Sequence, residues 1–320
     1  MRRYAILFAL VFLFIPVAVL AQSQAPEAAV NLFKNAVRKS GNGDLDGAIE
    51  DFTRAINLSS SLNTRKGAAN ARGNSFSDSG DASSEQITVV DPFTANAYSN
   101  RGLVRYRKGD YEGAMADFNA ALRIRPGLAL AYVNRAAVLR ATGDTTGALK
   151  DLDKAISLDK NLFQAYNNRG SVNLDLGNPR AALADLNRAI ELNNKSAESF
   201  YHRGYAYLAL TNFDAAAAEF SRAIKLEPQM AWAYHGRGTA LMKKGEMLPA
   251  MDDFTRALER DPKIAWAYFN RGLIWVFLGD ESKAQPDFDE CLKLKPELKQ
   301  EMERRITLAR QLRRIGKMLE

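Results

Sequence analysis

The sequence predicts an all-α protein, an α-solenoid of helix-turn-helix repeats with a capping helix at its carboxyl-terminal end. Two observations predict this class. The chain repeats with a period of 34 residues, and within each period apolar residues recur at helical spacing on both sides of a short turn. Fixed periods of about 20–50 residues are typical of solenoids, in which each repeat packs only on its neighbours. The composition, 47% hydrophobic and 25% charged, excludes global disorder.

Two positions show how strict the period is. An aromatic residue recurs at Tyr98, Tyr132, Tyr166, Phe200, Tyr234 and Tyr268. Three residues after each of them stands an arginine, at Arg101, Arg135, Arg169, Arg203, Arg237 and Arg271. We therefore predict six repeats without insertion or deletion, at residues 95–128, 129–162, 163–196, 197–230, 231–264 and 265–298.

Each repeat is predicted to contain two helices separated by a tight turn. In the second repeat, Tyr132, Ala136 and Leu139 share one helical face ahead of Gly143-Asp144. Glycine readily takes the left-handed conformation that ends a helix, and aspartate can cap the helix that follows. The expected unit is therefore a helical hairpin.

This pattern resembles the tetratricopeptide repeat family. In the second repeat it reads Ala131-Tyr132-x-Asn134-Arg135, then Gly143-Asp144, Ala148, Leu152 and Ala155, and other copies end in a proline. The resemblance implies a right-handed superhelix of helical hairpins with a concave inner surface. It also implies binding of a protein or a peptide, usually without catalysis.

Residues 1–21 are predicted to be a secretory signal, because a basic start is followed by an apolar run and by Val19-Leu20-Ala21. We expect cleavage before Gln22 and an exported chain, either periplasmic or secreted. The alternative is an uncleaved segment that anchors the chain in a membrane. No further run in the sequence is apolar and long enough to span a membrane.

The other segments outside the six repeats differ in composition. Residues 22–59 match a divergent repeat hairpin around Gly43-Asp44. Residues 60–94 are rich in Ser, Asn, Gly, Asp and Ala, and are predicted to be a polar flexible insertion that buries no core. Residues 299–320 are predicted to form a charged helix that caps the last repeat.

The composition leaves little material for catalysis or metal binding. Cys291, the single cysteine, stands where the other repeats have alanine, so we interpret it as a buried packing residue. His202 and His235 have no clustered carboxylate or cysteine beside them. We therefore expect no catalytic residue, no metal site, no cofactor and no enzymatic activity.

The repeated arginines could bind phosphate or another acidic group. Each of them, however, is followed sixteen residues later by an acid, in the order Asp117, Asp151, Asp185, Glu219, Asp253 and Asp287. The turn lies midway between the two residues, so their side chains face each other across the hairpin. We therefore predict bidentate arginine–carboxylate pairs inside the repeats.

The candidate binding surface is a stripe on the first helix of each repeat, formed by its second, fifth, ninth and twelfth residues. The family resemblance places this stripe on the concave surface. In the last three repeats the stripe is rich in aromatic residues, and we expect a peptide segment to contact Tyr201, Tyr205, Trp232, His235, Met242, Trp266 and Phe269. The alternative is that the terminal helix, residues 299–319, folds back and covers these side chains.

The function that follows is a non-enzymatic scaffold that binds a protein or peptide segment, and not nucleic acid. One alternative is an accessory subunit of an exported enzyme or assembly complex. Another is a binder of an anionic surface or nucleic acid, because the terminal segment concentrates basic residues. The interleaved charges of the repeats, 44 basic and 37 acidic residues in the whole chain, favour the scaffold.

Overall fold

The computed structural model describes the backbone of residues 25–73 and 92–319, and the side chains of residues 25–61 and 92–315. Within these ranges the chain forms fifteen α-helices and one 3₁₀ turn, and no β-strand, which confirms the all-α class. The predicted signal, residues 1–21, and its cleavage site before Gln22 lie outside the described residues. None of the described helices combines the length and the apolar character needed to cross a membrane.

The helices alternate along the chain as first and second helices of the repeats. The first helices are α1 (Glu27–Gly41), α3 (Pro92–Lys108), α5 (Ala129–Ala141), α7 (Phe163–Asp175), α9 (Ala197–Ala209), α11 (Ala231–Lys244) and α13 (Ala265–Leu278). The second helices are α2 (Leu45–Gly73), α4 (Tyr111–Ile124), α6 (Thr145–Leu158), α8 (Pro179–Leu192), α10 (Phe213–Leu226), α12 (Met247–Arg260) and α14 (Glu281–Leu294). The 3₁₀ turn, Pro296–Leu298, leads into the terminal helix α15 (Lys299–Leu319).

The helices form two compact units, residues 1–172 and 173–320, which are called unit 1 and unit 2 below. In unit 1, a hairpin core is illustrated by α5 and α6, where Val133 and Ala136 pack on Ala148, Leu152 and Ala155. All five side chains are buried. In unit 2, the hairpins of α9 with α10, α11 with α12, and α13 with α14 pack in the same way.

The turn between α5 and α6 follows the predicted chemistry. Gly143 has a φ of 92°, in the left-handed region, and the Asp144 side chain accepts a hydrogen bond from the backbone N–H of Gly147. The weakest copy of the motif, Thr211-Asn212, makes the same turn without glycine, because Thr211 takes a φ of 59° and Asn212 caps Ala215. The backbone geometry of the hairpin is therefore kept even where the preferred residue is missing.

A correction concerns the predicted polar insertion, residues 60–94. Helix α2 continues to Gly73 and α3 begins at Pro92, so both ends of that range are helical. No proline interrupts residues 60–73, which allows the helix to continue. Phe93 is fully buried, with its ring centroid 5.6 Å from that of Phe33 in the core of the first hairpin. Residues 74–91 lie outside the described residues.

Candidate functional site

The predicted arginine–carboxylate pairs are present in the five repeats whose arginine and acid lie within one unit. Arg101, Arg135, Arg237 and Arg271 each donate from Nε and Nη2 to the two oxygens of the aspartate sixteen residues later, at 2.6–2.9 Å. Arg203 donates from both nitrogens to a single oxygen of Glu219. The five carboxylates are buried.

The third nitrogen of each guanidinium makes a contact that the sequence analysis missed. Nη1 donates to a side-chain oxygen of the preceding second helix, at 2.7–3.1 Å. The pairs are Arg101–Thr53, Arg135–Asn119, Arg169–Asp153, Arg203–Asn187, Arg237–Ser221 and Arg271–Thr255. Each acceptor stands two residues after the repeat's acid, a regularity that was readable in the sequence. The arginines therefore join neighbouring hairpins as well as the two helices of one hairpin.

Each arginine also lies over the aromatic ring three residues earlier, for example with Cζ of Arg101 5.3 Å from the centroid of Tyr98. The hydrogen bonds to the carboxylates raise the pKa of Arg135, Arg237 and Arg271 above its ordinary value. With their nitrogens bound and their planes stacked, these side chains are engaged in holding the repeats together. They are not available as a surface for phosphate.

The seven predicted groove residues all lie in unit 2, but the structure does not expose all of them. Tyr201, His235 and Phe269 are buried, which differs from the expectation that a peptide segment contacts them. Tyr205, Trp232, Met242 and Trp266 are half-buried and keep part of their surface accessible. The Tyr201 and Tyr205 rings pack on each other and on Phe220, and Phe254 lies under His235. The buried residues of the stripe therefore form the layer on which its half-buried residues pack.

In the last repeat, the terminal helix α15 covers the stripe. Met302 of α15 is buried in one apolar cluster with Phe269, Leu273 and Val276, which are three of the four stripe positions of α13. The guanidinium of Arg305 lies 5.7 Å above the Phe269 ring. The alternative stated from the sequence, a terminal helix that folds back onto the stripe, is confirmed for this repeat.

Polar contacts hold the second half of α15 in place. Arg310 donates from Nε and Nη2 to the two carboxylate oxygens of Glu281, at 3.0 and 2.5 Å. Arg313 donates to the backbone carbonyl of Val276 at 3.4 Å. These contacts attach α15 to the end of α13 and to the start of α14.

Beside α15 runs an open apolar groove of about 860 Å³, which we call the α15 groove. Its walls come from the end of α11, the start of α12, the second half of α13 and one face of α15. The lining residues are Met242, Lys243, Met247, Leu273, Ile274, Phe277, Arg304, Arg305, Thr307, Leu308, Ala309, Gln311 and Leu312. Only Met242 belongs to the seven residues predicted from the sequence, because the groove depends on the direction that α15 takes.

His235 is held as a neutral ring. Asn270 Nδ2, a donor, lies 3.4 Å from Nε2, which places the ring proton on Nδ1, and Nδ1 has no partner among the described residues. Burial lowers the pKa of His235 to about 4. At neutral pH this side chain therefore contributes shape and a buried N–H group to the stripe, and no charge.

We expect this burial to make the stability of unit 2 depend on pH. Because the folded pKa is about 4 and the unfolded value about 6.5, the contribution is complete above pH 6.5 and is lost as the pH falls towards 4. Between pH 7 and pH 5 the free energy of unfolding should fall by roughly 2 kcal/mol from this residue. Urea unfolding of the parent chain and of His235→Gln at both pH values measures the effect. An identical pH dependence in the two chains would contradict it.

The other candidate residues show no reactive arrangement in the described part of the chain. Cys291 is fully buried, and burial raises the pKa of its thiol to about 11, so the thiol stays protonated. His202 is buried with its ring centroid 5.5 Å from that of Tyr201. Within residues 25–61 and 92–315, no group of three or more His, Cys, Asp or Glu side chains could hold a metal ion.

Solved structures share this architecture. A tetratricopeptide repeat protein from Parabacteroides merdae is 21% identical with a TM-score of 0.58, over 89% of this chain and 99% of that chain. PilF of Pseudomonas aeruginosa is 20% identical with a TM-score of 0.56, over 63% and 92%. A chain of the APC/C hetero-tetramer Cut9–Hcn1 is 18% identical with a TM-score of 0.63, over 67% and 42%. At these sequence identities, the similarity establishes that this chain shares their fold.

Sequence comparison identifies the repeats themselves. Family models described as tetratricopeptide repeat match residues 95–128, 167–231, 201–263 and 267–298. A further model, described as TPR repeat, matches residues 136–177. Together the matched ranges cover more than half of the chain, whereas no curated protein matches it. The chain belongs to the tetratricopeptide repeat family.

Proposed function

We propose that this chain is a scaffold that binds a segment of another protein through the stripe and the α15 groove of unit 2. The repeats themselves support a role in protein interaction, which is the common role of their family. We infer the position of the binding surface from the packing of α15 on Phe269, Leu273 and Val276. A charged helix already packs on the stripe of the last repeat through Met302, Ile306 and Ala309, so this type of surface accepts the apolar face of a helical segment.

The partner contacts are assigned to the side chains that stay accessible. Trp232 and Met242 lie on the stripe of the fifth repeat and are half-buried, and Met242 also lines the α15 groove. Large apolar side chains in such positions bury much area when a partner binds. Phe269 acts in this proposal as a support for α15, and Trp266 keeps a partly accessible edge beside it.

The cellular setting is also a proposal. The basic start and apolar run of residues 1–21 support export, and a binding function in the periplasm or outside the cell. A partner that is itself an enzyme would make this chain an accessory subunit.

The test is capture of a partner by the double variant Trp232→Ala/Met242→Ala. We expect it to lose most of the partner protein that the parent chain retains from the exported fraction, because two accessible apolar contacts are removed. Pull-down with mass spectrometry measures capture, in the presence of nuclease so that nucleic acid cannot bridge.

The matched control is Trp275→Ala. Trp275 is also half-buried and apolar, but lies outside the stripe, where the Nζ of Lys283 is 4.7 Å from its ring. The control should capture partner normally with helical content equal to that of the double variant. Equal capture by both variants would overturn the assignment of the surface.

A further inference from the structure

We propose that the α15 groove binds an acidic amphipathic segment of the partner, one whose apolar side chains are flanked by carboxylates. This inference rests on the proposed function and deepens it. It names the chemistry of the occupant from the side chains that line the groove.

The floor of the groove selects apolar side chains. Eight of its lining residues are apolar: Met242, Met247, Leu273, Ile274, Phe277, Leu308, Ala309 and Leu312. Of these, Leu308 is 51% and Leu312 49% exposed, large values for leucines on a helix that is packed on its other face. Two methionines, Met242 and Met247, also line the groove, and methionine adapts its shape to the side chain that binds. An occupant of the groove would remove this surface from water.

The rim of the groove selects negative charge. Three cations line it, Lys243, Arg304 and Arg305, and no aspartate or glutamate does. Arg304 and Arg305 share the single carboxylate of Glu301, at 2.5 and 2.7 Å. Lys243 is exposed and forms no ion pair with any described residue. Two positive charges are therefore left without a counter-charge at the edges of an apolar groove, which carboxylates of a partner would complement.

The same features argue against other occupants. A second copy of this chain would bring two sets of these cations together, and like charges across an interface oppose association. A membrane surface would supply negative charge, but the apolar side chains line a recess between helices. A polypeptide segment can insert its side chains into such a recess, whereas the flat interface of a bilayer cannot enter it as readily.

Fluorescence anisotropy of the full chain with designed peptides tests the proposal. The probe is a labelled peptide of about 18 residues, roughly five helical turns, with leucines on one face and glutamates beside them. Two comparison peptides carry lysine for glutamate or serine for leucine. We expect the leucine–glutamate peptide to bind at least tenfold more tightly than either comparison, with an affinity that falls as salt rises. Equal binding of the glutamate and lysine peptides would overturn the proposal.

Two variants locate the binding. Lys243→Glu/Arg304→Glu should weaken binding of the glutamate peptide at least tenfold and strengthen binding of the lysine peptide. The control, Lys225→Glu/Lys263→Glu, changes two exposed lysines and the net charge by the same amount, and should change the affinity for neither peptide. Leu308→Gln/Leu312→Gln, which keeps the charge, should weaken the glutamate peptide to a similar extent. Equal effects of the two charge variants would show a response to net charge alone and contradict the groove.

The same experiment also tests the two other occupants, a membrane surface and a second copy of the chain. Binding of anionic phospholipid vesicles that competes with the peptide and is lost in the Lys243→Glu/Arg304→Glu variant would assign the groove to a membrane surface and overturn the proposal. A concentration-dependent dimer that the leucine variant abolishes would assign it to a second copy. If peptide binding fails while Trp232→Ala/Met242→Ala still loses its partner, the acidic-segment inference falls and the proposed function stands.

Discussion

Replacing Arg237 with alanine is expected to lower the free energy of unfolding of unit 2 by about 3 kcal/mol. The change leaves the Asp253 carboxylate, which is 2% exposed, buried without its counter-charge. It also removes the hydrogen bond to Ser221, which joins this hairpin to the one before it. Because repeats are stabilised through their nearest neighbours, loss of such a link weakens more than one hairpin. Urea unfolding followed by circular dichroism measures the change.

The control lies in the same hairpin. Arg256 pairs with Asp252 one helical turn away, and both side chains are largely exposed, so Arg256→Ala should cost less than about 0.5 kcal/mol. The double variant Arg237→Met/Asp253→Leu, which removes both charges, should recover most of the loss, because an apolar pair leaves no charge buried. Equal effects of Arg237→Ala and Arg256→Ala would contradict a structural role for the repeated arginines.

Much of the hairpin structure was predictable because it depends on neighbours in sequence. The pairing of Arg237 with Asp253 follows from a spacing of sixteen residues about a central turn, and the Gly143-Asp144 turn follows from backbone chemistry. The link from Arg237 to Ser221 was also readable, since a hydrogen-bond acceptor recurs two residues after each acid. It was missed because the acid alone accounted for the charge of the arginine.

The candidate site was predictable only in part, because it depends on where α15 lies. By period alone, Arg305 stands 34 residues after Arg271 and could begin a seventh repeat. The position that is Gly272 in the last repeat is Ile306 in α15, however. An added Cβ at Gly272 would already lie 2.6 Å from the Phe288 ring, so this slot needs a small residue. Isoleucine at Ile306 therefore departs from the small residue of the repeat pattern, and α15 packs on the stripe of α13 instead.

The burial of the stripe has a different cause in each repeat. From a single sequence, a helical face with aromatic residues fits an exposed binding surface and a buried interior equally well. Met302 and Arg305 of α15 cover Phe269, and the equivalent stripe position is also buried in the other five repeats, at Ser99, Val133, Asn167, Tyr201 and His235. Tyr201 lies inside because Tyr205 and Phe220 surround its ring.

Replacing Met302 with aspartate is expected to release α15 from α13. Met302 is 3% exposed in the cluster with Phe269, and the substitution removes its apolar contacts and places a carboxylate among apolar side chains. Together these effects should cost at least 3 kcal/mol of the local stability of α15, which corresponds to a loss of about 100-fold or more in amide protection. Repeats one to five do not contact Met302 in its cluster and should keep their protection.

Hydrogen exchange with mass spectrometry over residues 299–315 tests most directly the central claim, that α15 covers the stripe of the last repeat and forms one wall of the groove. Three chains are compared: the parent, Met302→Asp, and Leu308→Asp, which places the same charge on the exposed face of the same helix. We predict protection of α15 in the parent and in Leu308→Asp, and loss of protection in Met302→Asp together with faster exchange in α13. Equal exchange in all three chains, or loss of protection in Leu308→Asp alone, would contradict this placement of α15.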